Sequence, residues 1–180
     1  EPSPEEKALL EGLGAPLSPE AFGPAYLPPK TAGSGNIRAK LQEAGKLLDQ
    51  AGWTIKNGKR VNYQGEQMKL EILNFEPAFE RINAPFIKNL QLLGIDASMR
   101  MVDPAQYQRR TKSFDFDITT QRYVMRNTPG VELRSYFGSD AAKMDGSLNL
   151  AGISDPAVDT LIERVIAAKN REELTTAARA

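Results

Sequence analysis

The sequence predicts an α/β fold, and three consecutive stretches carry that prediction. MKLEILNF, Met68–Phe75, reads as a core strand: Met68, Leu70 and Ile72 alternate onto one face, while Leu73 and Phe75 line part of the other. Phe79, Ile82, Phe86, Leu90 and Leu93 then recur at helical spacing up to Gly94. IDASMRMV, Ile95–Val102, returns to alternation. Strand, helix and strand within about 30 residues make a βαβ unit with parallel strands. Pro85 inside the crossover helix removes a hydrogen bond and is expected to kink it.

The flanking elements follow from caps and stops. Ser3, Pro4 and Glu6 spell a capping box with proline at the first helical position, which predicts a short opening helix. From Gly14 to Gly35 prolines and glycines surround Phe22, Tyr26 and Leu27, as in an ordered loop clamped by its aromatics. Asn36 is the expected cap of a helix through Ile37, Leu41, Ala44, Leu47, Leu48 and Ala51, with Gly52 as its left-handed stop. Asn57-Gly58 and Tyr63–Gly65 are turn signals that predict a small hairpin before the core strand.

Beyond the βαβ unit, Asp103-Pro104 opens a short helix, and FDFDITTQ, Phe114–Gln121, reads as a further strand. An irregular stretch is expected from Pro129 to Ile153. Asp155-Pro156 then starts a helix with Val158, Leu161, Ile162, Val165 and Ile166 on one face and Asp159 opposite, free to vary. Asn170 caps a last helix without a stop signal, expected to fray, as if the chain were cut inside a larger protein.

Composition excludes several classes of function. The 41% hydrophobic residues suffice for a core, and 23 basic residues against 23 acidic ones leave no global field to hold nucleic acid or an anionic membrane. Cysteine and histidine are both absent. That removes thiol nucleophiles, disulfides, Cys/His zinc sites and the commonest proton-transfer side chain.

The chemically richest stretch is SFDFDITTQRYVMRNTPG, Ser113–Gly130, where Arg122, Tyr123, Arg126 and Asn127 follow a predicted strand. Planar bidentate donors, an aromatic surface and an amide can grip carboxylates and peptide groups, and strand ends are where α/β folds place ligands. Other candidates have bland counterparts. Asp115 and Asp117 share a strand face and could hold a cation or form an acid/base pair, or else bind neighbouring backbone. Arg109, Arg110 and Lys112 could bind phosphate or be a solvated helix end. Gly33 and Gly35 in TAGSGN could cradle an anion or be a flexible lead-in, and Trp53 could stack on a ligand or seal the core edge.

AGKLLDQAGW, NGKRVNYQGEQMKLEIL, NLQLLGIDASMRMVD, SFDFDIT and ISDPAVDTLIERV, taken together and in order, resemble the extracellular solute-binding proteins of family 5, with spacing nearest a YejA-like peptide-binding branch. The resemblance implies a periplasmic-binding-protein type II lobe: a mixed sheet with flanking helices and a βαβ unit. Residues 1–180 would be a single fragment, most of the C-terminal ligand-binding lobe, with 1–35 a lead-in and 36–180 the α/β body truncated at its C-terminus. The missing N-terminal lobe of the same chain would close over a peptide or peptide-like solute. Permease subunits of an ABC importer would receive it, with the receptor in the periplasm or extracellular and membrane-anchored. No catalysis, cofactor, metal or nucleic acid is implied.

By that resemblance the turn after the first βαβ strand, with Asn74 and Phe79, and the segment after the Phe-Asp strand, with Thr120, Arg122, Tyr123, Arg126 and Asn127, face the cleft. Tyr123 stands six residues after Asp117, where the family commonly has an aromatic cleft wall. Many members follow it with an Asp for the peptide's α-ammonium group, yet Val124–Thr128 holds no acid, so Arg122 and Arg126 favour an anionic group instead. Changes in this loop are expected to spare folding. The rival readings are a carboxylate-dependent hydrolase domain using Asp115 and Asp117, and a protein-interaction module.

Overall fold

The computed structural model describes residues 1–31, 33 and 35–180. Ala32 and Ser34, and with them the anion-cradle reading of TAGSGN, lie outside the described residues. In chain order the elements are α1 (Pro4–Glu11), α2 (Arg38–Gln50), β1 (Thr54–Lys56), β2 (Lys59–Val61), β3 (Lys69–Asn74) and α3 (Glu80–Leu92). They continue with β4 (Asp96–Met101), α4 (Pro104–Lys112), β5 (Ile118–Thr119), α5 (Glu132–Phe137), α6 (Pro156–Ala167) and α7 (Arg171–Arg179). Two compact units result: Pro28–Thr111 with Asp115–Thr120 carries the sheets, and Glu1–Leu27, Lys112–Phe114 and Gln121–Ala180 form a helical unit.

In the sheet-bearing unit the predicted βαβ is present. β3 lies between β4 and β5, parallel to both, with Ile72 opposite Met99 on one side and Ile118 on the other. Flanked on both sides, β3 buries Ile72 and Leu73 to 3% and 1% exposure. The β1–β2 hairpin turns through Asn57 and Gly58, both at positive φ, as a two-residue type I′ loop requires. α2 stops with Gly52 at φ 86°, where Trp53 N–H donates to the Leu48 carbonyl (2.9 Å) and Gly52 N–H to that of Asp49 (3.0 Å).

Arg60 on β2 joins these parts. Only 4% exposed, it donates from Nη1 to Asp49 Oδ1 (2.6 Å) and the Trp53 carbonyl (3.0 Å), and from Nε to the Leu93 carbonyl (3.0 Å). Its backbone N–H bonds Gly94 O (2.8 Å) and its carbonyl accepts from Met68 N (2.8 Å).

Four expectations change between residues 26 and 121. α2 begins at Arg38 with Ile37 in the cap position, and Asn36 Oδ1 instead accepts from Arg38 N (3.1 Å), one position early. Tyr26 and Leu27 are 84% and 68% exposed, so they clamp nothing; Pro28 and Pro29 bias this stretch toward extended backbone, which offers a ring no local surface. On α3, which runs through Pro85, Ile82 and Phe86 are exposed, and the half-buried face is Asn83, Ile87, Leu90 and Leu93. The strand predicted over Phe114–Gln121 shrinks to Ile118–Thr119, because Phe114 takes a left-handed conformation (φ 54°) and Asp115 N–H closes onto the Arg110 carbonyl (2.8 Å).

The helical unit opens with the predicted capping box. Ser3 Oγ accepts from Glu6 N, and Glu6 Oε2 accepts from Ser3 N. The other oxygen of the buried Glu6 pairs with Arg179 at 3.2 Å, tying α1 to α7. The core is Leu133, Ile162, Val165 and Ala177, covered by Leu9, Phe137, Val158, Ile166 and Leu174. α7 was expected to fray, but Ala177 is a core residue. α5 was not foreseen: six residues without a side-chain cap give no periodic signal. In the irregular stretch that follows, the fully buried Asn149 takes over the backbone's role, donating to the carbonyls of Gly138 and Ile153 and accepting from Ile153 N. Asp159 is not idle either, since its Oδ1 accepts from Ser139 N (2.8 Å).

Truncation at buried Ile162 to alanine is expected to cost about 2–5 kcal/mol, and at half-buried Leu161 clearly less, in urea denaturation; equal losses would mean the core is misplaced. Asp159→Ala should cost about 1–2 kcal/mol by orphaning Ser139 N–H. A Cβ at Gly94 (φ 83°) would lie 2.7 Å from Ile55 Cδ1 and 2.8 Å from Arg60 N. Gly94→Ala should therefore cost more than the roughly 1–2 kcal/mol of left-handed strain alone, and a neutral result would rule out the Arg60–Gly94 contact.

Candidate ligand-binding site

Because β3, β4 and β5 run parallel, their carboxyl ends share one edge of the sheet, and Asn74 and Thr119 stand there. Asn74 is 6% exposed. Its Oδ1 accepts from Phe75 N (2.9 Å) and Glu76 N (3.2 Å), while Nδ2 donates to the Glu76 carbonyl (2.9 Å). The amide thus turns the chain out of the strand, and Phe79 ends the 3₁₀ turn Pro77–Phe79 that leads into α3.

At the β5 end, Tyr107 of α4 does comparable work. Its hydroxyl lies 2.9 Å from Thr119 Oγ1 and donates to the carbonyl of Thr120 (2.9 Å), and its ring tilts against Phe75 with centroids 4.5 Å apart. Thr119 Oγ1 also lies 3.2 Å from the Leu73 carbonyl. Asn74, Phe79 and Thr120 are brought to this unit, with Tyr107 and Phe75 as the neighbours that sequence reasoning missed. Only its place in the helix before β5 could have signalled Tyr107.

The acids of the Phe-Asp segment are engaged. Asp117 Oδ2 accepts from Glu71 N (2.9 Å), supplying a bond that a longer ladder would otherwise provide. Asp115 pairs with Arg110 at 2.8 Å, and Arg110 reaches Glu71 at 3.2 Å, so Arg110 is neither a solvated helix end nor an open phosphate site. Glu71 also takes Arg100 Nε at 2.6 Å; that bond holds its carboxyl below the usual glutamate range despite partial desolvation. Among the described residues no three acids gather as metal ligands would.

Arg122, Tyr123, Arg126 and Asn127 belong to the helical unit. The Tyr123 ring packs 5.0 Å from that of Tyr136 and 5.3 Å from that of Phe137, and its hydroxyl donates to the Leu148 carbonyl (3.2 Å). Burial pushes its phenol above the usual tyrosine range, with Tyr136 adding to the shift. Arg171 Nη1 holds the Asn127 carbonyl at 2.9 Å. Anchored at these points, the loop exposes Arg122, Val124, Met125 and Arg126. An open groove of about 850 Å³ between α1 and α6–α7 includes none of the expected site residues.

This geometry separates building residues from presenting ones. Asn74→Ala orphans two backbone N–H groups and should cost about 1–3 kcal/mol of stability; Asn74→Ala with unchanged urea stability would mean the turn is held by something else.

The family model described as bacterial extracellular solute-binding proteins, family 5 Middle, matches residues 7–145. A probable peptide-binding protein YejA of Agrobacterium fabrum is 41% identical over 180 residues, covering 99% of this chain and 29% of the relative. The chain thus spans less than a third of that relative's length. The oligopeptide-binding protein AppA of Bacillus subtilis, solved with a nonapeptide, superposes with a TM-score of 0.65 at 15% identity over 97% of this chain and 36% of its own. A periplasmic oligopeptide-binding protein of Thermotoga maritima, solved with mannohexaose, gives 0.61 at 20% identity over 77% and 28%. The fold is that of the type II periplasmic binding proteins, and the chain belongs to family 5 of the bacterial extracellular solute-binding proteins.

Proposed function

We propose that this chain is most of the C-terminal lobe of a two-lobed receptor that binds peptides or peptide-like solutes outside the cytoplasmic membrane and delivers them to the permease of an ABC importer. The family is one of solute-binding proteins rather than catalysts. The observation that carries the reading is the loop after β5, where exposed Arg122 and Arg126 flank exposed Val124 and Met125 on a support of Tyr123, Tyr136 and Phe137. Cationic donors beside apolar surface suit a peptide, which offers carbonyl and carboxylate acceptors along with side chains. The name of the Agrobacterium relative supports a peptide. The fold alone leaves the solute open, since a protein of the same fold was solved with an oligosaccharide.

Tyr123 bears on stability as well as binding, because its ring is packed; Arg126 does not. In the full-length protein, Arg126→Ala should weaken peptide binding by about 1–3 kcal/mol, roughly five- to hundred-fold, with melting unchanged. Tyr123→Ala should lose both affinity and melting temperature. Native mass spectrometry of the full-length protein should reveal a series of co-purified peptides, and a sugar or a metal chelate in their place would overturn the proposal.

A further inference from the structure

We infer that Tyr107 is a positioning residue for solute binding: without touching the solute, its hydroxyl holds the end of β5 so that Thr120 is presented in one arrangement. The inference rests on the reading of Thr120 and the residues after it as ligand-facing. It starts from how little backbone ladder β5 has. The strand is two residues long and pairs with β3 at two positions, Ile118 on Ile72 and Thr119 on Leu73. β3 and β4, by contrast, pair all the way from Lys69 on Asp96 to Asn74 on Met101. A strand end with so few ladder bonds opens locally at little cost.

Side chains replace the missing ladder. Asp117 Oδ2 accepts from Glu71 N (2.9 Å) before β5, and beyond it the Tyr107 hydroxyl lies 2.9 Å from Thr119 Oγ1 and donates to the Thr120 carbonyl (2.9 Å). Thr119 Oγ1 in turn lies 3.2 Å from the Leu73 carbonyl. Each hydroxyl has one proton, so Thr119 gives its own to Leu73 or to Tyr107, while the Tyr107 proton is the one that reaches Thr120. Tyr107 is itself firmly held. Its N–H bonds the Asp103 carbonyl (2.9 Å), and Asp103 Oδ1 caps α4 through Ala105 N and Gln106 N, each at 2.9 Å. Its ring rests on Phe75, the residue after β3, so one side chain ties the exits of β3 and β5 together.

These roles are separable. The ring packs, whereas the hydroxyl serves an exposed residue, Thr120, whose carbonyl would turn to water if the donor were lost. Folding then loses little, but binding has to order a segment that the parent holds ready, and that cost appears as lost affinity. Because Tyr107 does not meet the solute, the loss is the same for every solute sequence.

The test compares the full-length parent with Tyr107→Phe, using native mass spectrometry to titrate each with a tryptic digest of casein and reading an affinity for every captured peptide. Tyr107→Phe should weaken all captured peptides by one common factor of about three- to tenfold, while melting as the parent does. Hydrogen exchange at Thr120 and Gln121 should be faster than in the parent without peptide and equal to it with peptide, and β3 should not change in either state. Unchanged affinities would overturn the inference and leave the peptide reading standing. So would losses that differ from peptide to peptide, which mark a direct contact, or a lower melting temperature with faster exchange in β3, which marks a purely structural role. If the parent captures no peptide, the peptide reading falls and this inference with it.

Discussion

The sheet-bearing unit depends on the close approach of Gly94 to Arg60. With no Cβ at Gly94, the turn after α3 comes near enough for Arg60 N–H to bond its carbonyl at 2.8 Å, while the guanidinium gathers the ends of α2 and α3. Because the Arg60 carbonyl accepts from Met68 N and Asp96 N bonds the Met68 carbonyl (2.9 Å), this one residue sets where β3 and β4 begin. A fixed start and a parallel register of Lys69 on Asp96 fix where both strands end. The position of Asn74 at the sheet's carboxyl edge is thus decided at the opposite end of the strand. A buried guanidinium is costly unless its donors are used, and three carbonyl or carboxylate partners use them here.

At the carboxyl edge the chemistry changes from packing to presentation. Asn74 and Tyr107 spend their polar atoms on backbone and on Thr119, which makes the strand ends rigid without leaving those atoms for a solute. The Glu71 network with Arg100 and Arg110 does the same for the flank of the sheet. In the helical unit, Tyr123 is the support and its arginine neighbours are the exposed groups. On the proposed reading, preorganisation of this kind would lower the ordering cost of binding, so that contacts made by a few exposed side chains would count in full.

Much of this was legible in sequence. Caps and stops located α1, α2, α4, α6 and α7, since Ser3, Gly52, Asp103, Asp155 and Asn170 each satisfy helix-end groups that water would otherwise have to satisfy. Alternation located β3 and β4. What failed was local: β5 alternates well but is interrupted by the left-handed Phe114, and α5 is too short to show a period. The apolar stripe of α3 marked a helix correctly but overstated its burial, because periodicity reports which face is apolar and not what covers it. The loop residues Arg122 to Asn127 could be chosen for their chemistry, yet Tyr136, Phe137 and Leu148, which hold Tyr123, arrive through tertiary structure that no local pattern encodes.

The central claim is that the post-β5 loop is a part of the solute-binding surface. Hydrogen exchange of the full-length protein, with its co-purified solute and after the solute is stripped by partial unfolding and refolding, tests it most directly. Slower exchange at Gln121–Thr128 in the loaded state, with β3 equally protected in both states, is the predicted result. Identical exchange of Gln121–Thr128 in the two states, alongside solute-dependent protection elsewhere in the protein, would contradict it.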